Sequence, residues 1–583
     1  MGSVSRPLLR KHGPLVLVFT GSVFVAAVFA AGCQGSGATL VEVGSQAPPA
    51  TTDAAAPGDG PSQTKPDGGS STRTDAGGTT GEDSGTGTTD AGGTTGGDSG
   101  TGTDAGGDTG MSSDSGWGAP VTGGPTGTGA AATVTVNPSV TLGTVGPGFA
   151  GFSYEKTHIT NDSLTSTNAA LVALYKLVGS PVMRLGANDV DHCNWSGAGP
   201  APAAPSGQPF TFNVVTGMVD ELCSFLTATG AKIIYGVNFE SDNVTQVGAE
   251  SAYVQGKCGS NVIGIELGNE INAFGSWTSL KSEWETLASA IVATPGALLI
   301  GPAASPGNAQ SFSTPFAAAE SAKFGDKLVL LTQHFYTASA GTSDATVGRL
   351  ETPFSDTTPD GLLGMDTTMN TAAVNNKIPG GYRLGETNTF SHHGQMGLSD
   401  TLISALWAID EMFVTAEHGG GGANYHGGET GMDGTSPFYY EPIMEKDGVV
   451  VQVQPLYYGM LLLYLAGQGS VLSTTVATSS AYFTAYALQG EAWTSVVLDN
   501  KDTTGVSATV NLGTGVKSAS AIYLLGTPAG SLTAAATDVT LASAQVTADG
   551  AWNRRPPYIQ ATSGDTVSVY VPPASAVLVR ALE

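Results

Sequence analysis

The chain has 583 residues, with 22 Lys and Arg against 49 Asp and Glu, for a formal net charge of −27. A surface this acidic repels a phosphate backbone, which argues against nucleic acid as a partner. Glycine, at 82 residues, stands at about twice its ordinary share, yet hydrophobic residues still make up 40%; a low-complexity segment joined to an ordinary folded part gives that combination.

At the N-terminus, Arg6, Arg10 and Lys11 precede an uncharged run from Gly13 to Ala31, and Gly32 and Cys33 follow. A basic segment, an apolar segment and small residues ahead of a cysteine form an export signal. Residues 1–33 resemble a bacterial lipoprotein signal, which implies lipidation of Cys33 and a membrane attachment through that lipid. The run of 19 residues is also close to the roughly 20 that span a bilayer, so ordinary secretory cleavage and a retained anchor stay open. All three export the chain, to the cell envelope as a lipid-anchored surface or periplasmic protein, or to the medium.

Residues 34–131 are mostly Gly, Thr, Asp, Ser, Ala and Pro, with Thr-Asp-Ala-Gly-Gly recurring at Thr74, Thr89 and Thr103. Without apolar periodicity such a segment buries too little to offset its ordering entropy, and it reads as a disordered linker. Its Asp residues lack the alternating ligands and closing Glu of a calcium loop. From residue 132 onward, 37 acidic residues face 17 basic ones. That balance suits neutral or weakly charged ligands, and it disfavours an endo-acting enzyme on an anionic polysaccharide, whose cleft would be basic. Besides Cys33 the cysteines are Cys193, Cys223 and Cys258, an odd set in an oxidising compartment. One disulfide at most can form, with its pairing open. No pair has zinc spacing, and no metal or cofactor is expected.

The remaining 450 or so residues suit two domains. Between 148 and 469 short apolar runs alternate with helical patterns. The runs are Gly148 to Tyr154, Val182 to Gly186, Lys232 to Asn238, Ile263 to Gly268, Leu298 to Pro302, Leu328 to Phe335, Tyr382 to Gly385 and Gly422 to Tyr425. Segments such as Asn168 to Leu177, Val219 to Thr229, Ser282 to Ala293 and Asp400 to Glu417 are helical between them. Eight strand–helix units predict an α/β fold, a (β/α)₈ TIM barrel. A doubly wound sheet would alternate similarly, but no Gly-rich phosphate fingerprint follows the first strand. From 470 to 583 short Val-, Thr- and Tyr-rich runs predict a C-terminal antiparallel β-sandwich. Ala132 to Val136, within a 132–147 segment ahead of the barrel, is predicted to join that sandwich.

Two of the barrel runs end in acids: Ile263-Gly264-Ile265-Glu266-Leu267-Gly268-Asn269-Glu270 and Tyr382-Arg383-Leu384-Gly385-Glu386. In a barrel both ends lie on the C-terminal face, where active sites form. Retaining glycoside hydrolysis needs two carboxyls about 5 to 5.5 Å apart, one protonated and one ionised. Desolvation and mutual repulsion are expected to keep Glu270 protonated as acid while Glu386 stays charged as nucleophile.

Acids on strands four and seven, with Asn ahead of the first, resemble the large clan of retaining (β/α)₈ glycosidases. Closer matches lie at Gly151-Phe152-Ser153-Tyr154-Glu155, Met183-Arg184-Leu185-Gly186-Ala187-Asn188 with Asp191 and Trp195, and Glu266 to Glu270. Others are Gly385-Glu386-Thr387-Asn388, Leu398-Ser399-Asp400, Asn424-Tyr425-His426-Gly427-Gly428 and Pro455-Leu456-Tyr457-Tyr458-Gly459. Together they resemble glycoside hydrolase family 79, which contains β-glucuronidases and heparanase-like enzymes. The resemblance implies Glu270 as acid/base, Glu386 as nucleophile, Asn269 on the sugar 2-hydroxyl, and Tyr336 orienting the nucleophile. It places Asn188, Asp191, Glu155 and His334 around the sugar. Where glucuronidases of the family offer tyrosine and backbone amides to the uronic carboxylate, this chain has Phe390-Ser391-His392-His393-Gly394. His392 is the candidate to take over that contact, as a donor at mildly acid pH. Adjacent His392 and His393 make a poor metal pair. The expected activity is therefore that of a retaining exo-acting β-glucuronidase-like enzyme on a glycan or glycoside. A retaining enzyme for a neutral glucoside or xyloside and a non-catalytic carbohydrate-binding lipoprotein are the alternatives.

Overall fold

The computed structural model describes residues 117–161, 163–197, 212–241, 243–428 and 438–583. The signal, Cys33 and most of the linker lie outside the described residues. Eight parallel strands close into a barrel in chain order: Ala150–Glu155, Val182–Gly186, Lys232–Val237, Val262–Leu267, Leu299–Ala304, Leu328–Ser339, Tyr382–Ser391 and Ala423–Gly427. Each of the eight predicted runs is one of these strands. Their burial is nearly continuous, as helices cover the outside and side chains fill the inside. Strands six and seven run past their predicted ends, to Ser339 and Ser391, because they stay paired beyond the barrel rim through Phe390 opposite Ala338.

Among the covering helices, Ala169–Leu177 starts at an Asn168 cap whose side chain accepts from Leu171 N–H, and Thr216–Thr229 ends at left-handed Gly230. Cys223 in the latter is disulfide-bonded to Cys258 at the end of Val244–Cys258, closing a separation of 35 residues, and Cys193 is free and buried.

The C-terminal domain is a β-rich layer structure whose strands pair antiparallel with one exception. Strand Ala130–Val145 pairs antiparallel with Gly469–Thr478 and parallel with Val506–Asn511. The segment ahead of the barrel thus belongs to the C-terminal domain, and it is longer than the predicted Ala132 to Val136. Its inward residues Ala132, Val134 and Val136 sit in the domain's own core with Leu498, Val510 and Val579. The layer's other face, with Tyr486, Val497 and Leu578, packs into the core that the barrel helices share. The linker boundary at 131 needs correction. Trp117 is buried, its Nε1 donates to Ser520 Oγ at 2.9 Å, and Val121 exchanges backbone hydrogen bonds with Pro557 and Ile559. Low complexity masked one anchoring indole.

Candidate active site

Three charged groups from three strands meet inside the barrel's C-terminal end. Arg184, on strand two, is fully buried. Its Nε donates to Glu266 Oε2 at 2.6 Å, Nη1 to Glu386 Oε2 at 2.9 Å and Ser153 Oγ at 3.3 Å, and Nη2 to Asn269 Oδ1 at 2.8 Å. Burial alone would push the guanidinium pKa down; Glu266 and Glu386 outweigh it and raise it further above its ordinary value. Glu266, also fully buried, accepts from Thr332 Oγ1 at 2.6 Å. A buried charge without a partner would cost several kcal/mol, so Arg184 and Glu266 fix one another and leave two guanidinium nitrogens to orient Glu386 and Asn269.

Glu386 lies within strand seven and is buried. Tyr336 Oη donates to its Oε1 at 2.8 Å, and His426 Nδ1 lies 4.0 Å from Oε2. Burial is the largest single influence and pushes this carboxyl up, but the fields of His426, His334 and Arg184 and the Tyr336 hydrogen bond hold it down at about 2. His426, on strand eight, is buried with Nε2 3.6 Å from Glu155 Oε1. Burial lowers the pKa of its imidazolium, while Glu386 and Glu155 raise it above its ordinary value.

Glu270 follows a sharp turn. At Gly268, φ is +74°, and a Cβ there would sit 2.5 Å from Ile271 and 2.7 Å from Phe239. Glu270 itself adopts φ 45° and ψ 42°, left-handed for a non-glycine residue, a conformation that costs roughly 1–3 kcal/mol and clusters at functional sites. Its N–H donates to Ala303 O at 2.9 Å. The side chain is 31% exposed, against 7% for Glu386, and its Oε1 lies 2.9 Å from His334 Nδ1.

Apart from Cys33, which lies outside the described residues, the structure gathers the residues singled out from the sequence around this end of the barrel, with His392 as the exception. Asn269 Nδ2 donates to Asn188 Oδ1 at 3.2 Å, with Asn188 exposed. Asp191 is buried, and its carboxylate accepts from the N–H groups of Phe239, Glu240 and Asn269. It therefore holds the backbone that presents Asn269; burial outweighs those bonds and raises its pKa to about 6. Glu155 is buried, accepts from Asp189 N–H at 2.9 Å and faces His426. His334 is fully buried beneath Glu270. His392 stands apart. It is exposed, with Nδ1 2.9 Å from Ser391 Oγ, and it is His393 whose ring meets Phe438 at 4.8 Å. From Phe438 an aromatic wall continues through Tyr440 to Tyr336, at centroid distances of 5.5 and 6.2 Å.

Arg184, Glu266, His426 and Tyr440 received no role from sequence. Two of them gave a signal: an Arg and a Glu each inside a short buried strand need partners, and each is the other's.

No protein-family model matches the chain, and no protein of curated function matches it in sequence. Solved structures match over the barrel and the β-rich domain. A 4-O-α-L-rhamnosyl-β-D-glucuronidase from Fusarium oxysporum 12S, in complex with Rha-GlcA, aligns with 77% of this chain and 99% of its own at a TM-score of 0.62 and 18% identity. A GH51 arabinofuranosidase from Xanthomonas axonopodis pv. citri aligns with 78% and 100%, at 0.55 and 13%. CelM2, a bifunctional glucanase-xylanase from a metagenome library, covers 78% and 99%, at 0.52 and 12%. All three are glycoside hydrolases, and at these identities the likeness establishes the fold.

Proposed function

We propose that the chain is a retaining exo-β-glycosidase that removes a terminal β-linked uronic acid, with Glu386 as nucleophile and Glu270 as acid/base. The observation that carries the reading is the unequal treatment of the two carboxyls. Glu386 is buried, gripped at both oxygens and held ionised at about 2. Glu270 is the more exposed of the two and bonded to a histidine, as a group that exchanges protons with a leaving group and then with water requires.

In the first step a Glu386 oxygen attacks the anomeric carbon while Glu270 gives its proton to the glycosidic oxygen, and the aglycone departs. In the second, Glu270 takes a proton from water as the hydroxyl oxygen attacks the same carbon, and Glu386 is released as carboxylate. Asn269, whose Oδ1 is fixed by Arg184 and whose Nδ2 keeps one hydrogen beyond the Asn188 bond, is placed to bond the 2-hydroxyl. The fungal glucuronidase likeness and the positive field of His426, His334 and Arg184 at Glu386 support a uronic sugar. The exposed His392 favours the second reading, a neutral β-glycoside. The same proposal includes export, with Cys33 as the lipidated anchor at the cell envelope.

The test is a panel of aryl β-glycosides, with glucuronide beside glucoside, xyloside and galactoside, on the wild type and Glu386→Gly. Preference for the glucuronide, loss in the variant and rescue by azide as a glycosyl azide of inverted configuration are expected. Activity on neutral sugars alone would overturn the substrate, and an active variant would overturn the mechanism.

A further inference from the structure

A second cleft shares no residue with the strand-end site. The β-domain layer that packs on helix Pro455–Ala466, where Arg580 Nη2 donates to Leu465 O at 2.6 Å and Ser495 Oγ to Ala466 O at 2.7 Å, continues beyond that helix. There it floors a cleft of about 770 Å³, within the range of small-ligand sites. Residues 117–120 build one wall, pinned by the Trp117–Ser520 hydrogen bond and the Val121 bridge to Ile559.

The geometry points to this cleft as a binding site for an acidic oligosaccharide bearing uronic acid units. Its charge is opposite to that of the protein. Among the described residues that line it, Lys517 and Arg580 are charged and none is acidic, in a folded part where 37 acids face 17 bases. The Arg580 guanidinium is clamped 4.2 Å from the Trp117 ring and 4.7 Å from that of Trp493, which fixes a cation under the floor. Lys517 is exposed at the rim and bonds the Glu583 carbonyl. Ser518 and Thr562 line it with hydroxyls, and Gln560 with an amide whose Nε2 donates to Tyr558 O at 3.0 Å. Ile559 and Leu582, 51% and 45% exposed, offer an apolar edge to the C–H face of a pyranose. Fixed positive charge, a few hydrogen-bonding groups and an exposed aliphatic rim match a carboxylated sugar better than a neutral one or a purely ionic ligand. The choice of a saccharide rests on the glycosidase reading, whose substrate the cleft would hold close to the enzyme.

Calorimetric titration of the full chain, carrying Glu386→Gln to stop turnover, with a β-linked glucuronic acid hexamer and with xylohexaose tests this. A second binding event is expected for the glucuronic acid hexamer. Lys517→Glu and, independently, Ile559→Asp should weaken it by about tenfold or more. In the otherwise wild-type chain, Lys517→Glu should leave aryl glycoside turnover unchanged. A single event that neither substitution moves overturns the proposal, as does equal affinity for xylohexaose. An event seen only after residues 34–116 are deleted also overturns it, by assigning the cleft to the chain's own acidic segment. Lys517-dependent binding in a chain that hydrolyses no aryl glycoside would sink the proposed function and leave the cleft standing.

Discussion

Tyr336→Phe removes one hydroxyl and leaves the ring against Tyr440, 6.2 Å away. The lost interactions are the 2.8 Å bond to Glu386 Oε1 and the hydroxyl's hydrogen bond with Tyr440, of which only the first acts on the Glu386 carboxyl directly. A hydrogen bond to a charged group contributes roughly 1.5–3 kcal/mol, and one pKa unit corresponds to about 1.4 kcal/mol. The bond favours the ionised carboxylate, so its removal raises the pKa. From about 2 the Glu386 carboxyl should climb by about one to two units. On the proposed mechanism attack requires the ionised form, so activity should then be lost as pH falls through about 3 to 4, where Glu386 of the wild type is still charged. The assay is kcat/KM for an activated aryl glycoside down to the lowest pH the fold survives, with the melting temperature followed alongside. A limb common to both proteins near 6, where Asp189 and Asp191 are both raised, cancels in the comparison. An acid limb that stays put in a folded variant would refute the account of how Glu386 is kept ionised.

Three further outcomes are expected. Glu270→Ala should slow substrates with poor leaving groups by about a hundredfold or more and activated aryl glycosides far less; an equal loss on both would remove it as the acid. His426 has a raised pKa, so its contribution to stability is complete below the unfolded value, about 6.5, and is lost as pH rises through the folded one. The melting temperature should fall across that window, and His426→Asn should flatten the fall; a variant with the wild-type pH slope would contradict the assignment. A chain starting at Ala130 should be less stable than one starting at Trp117 by about 3 kcal/mol, the cost of removing a buried indole, and equal denaturant midpoints would show that the segment merely lies on the sheet.

What the sequence made legible was periodic. Strands of nearly continuous burial, spaced by helical patterns, located the barrel, and because a parallel barrel puts every strand end on one face, Glu270 and Glu386 could be placed together. What stayed hidden was pairing across distance. Cys223 and Cys258 bond because their helices are neighbours in the outer ring, which no spacing announces. The strand from Ala130 continues to Val145 across Asn137 and Pro138 by shifting register with Gly469–Thr478, where the sequence looks like a turn. Trp117 stands in a Gly- and Ser-rich stretch and is recognisable only by the Arg580 and Ser520 that receive it.

The site shows why burial by itself does not predict the charge of a carboxyl. Strand seven separates two of them. Glu386 faces the barrel interior, while Glu411 lies behind the strand and accepts from Thr387, the residue next to Glu386. Both are buried, and in both burial is the largest influence and pushes the pKa up. Glu411 meets hydroxyls and the neighbouring Asp366, and its carboxyl rises to about 8, as that of Asp366 does to about 7. Glu386 meets Arg184, His426 and His334 and falls to about 2. The difference lies in which partners the fold supplies. At mildly acid pH strand seven therefore carries an ionised carboxyl on its inner side and a neutral one behind it. In this acidic protein Glu386 is held ionised by Arg184 and the imidazoles gathered around it, and Glu266 serves that end by holding in place the arginine that reaches both Glu386 and Asn269.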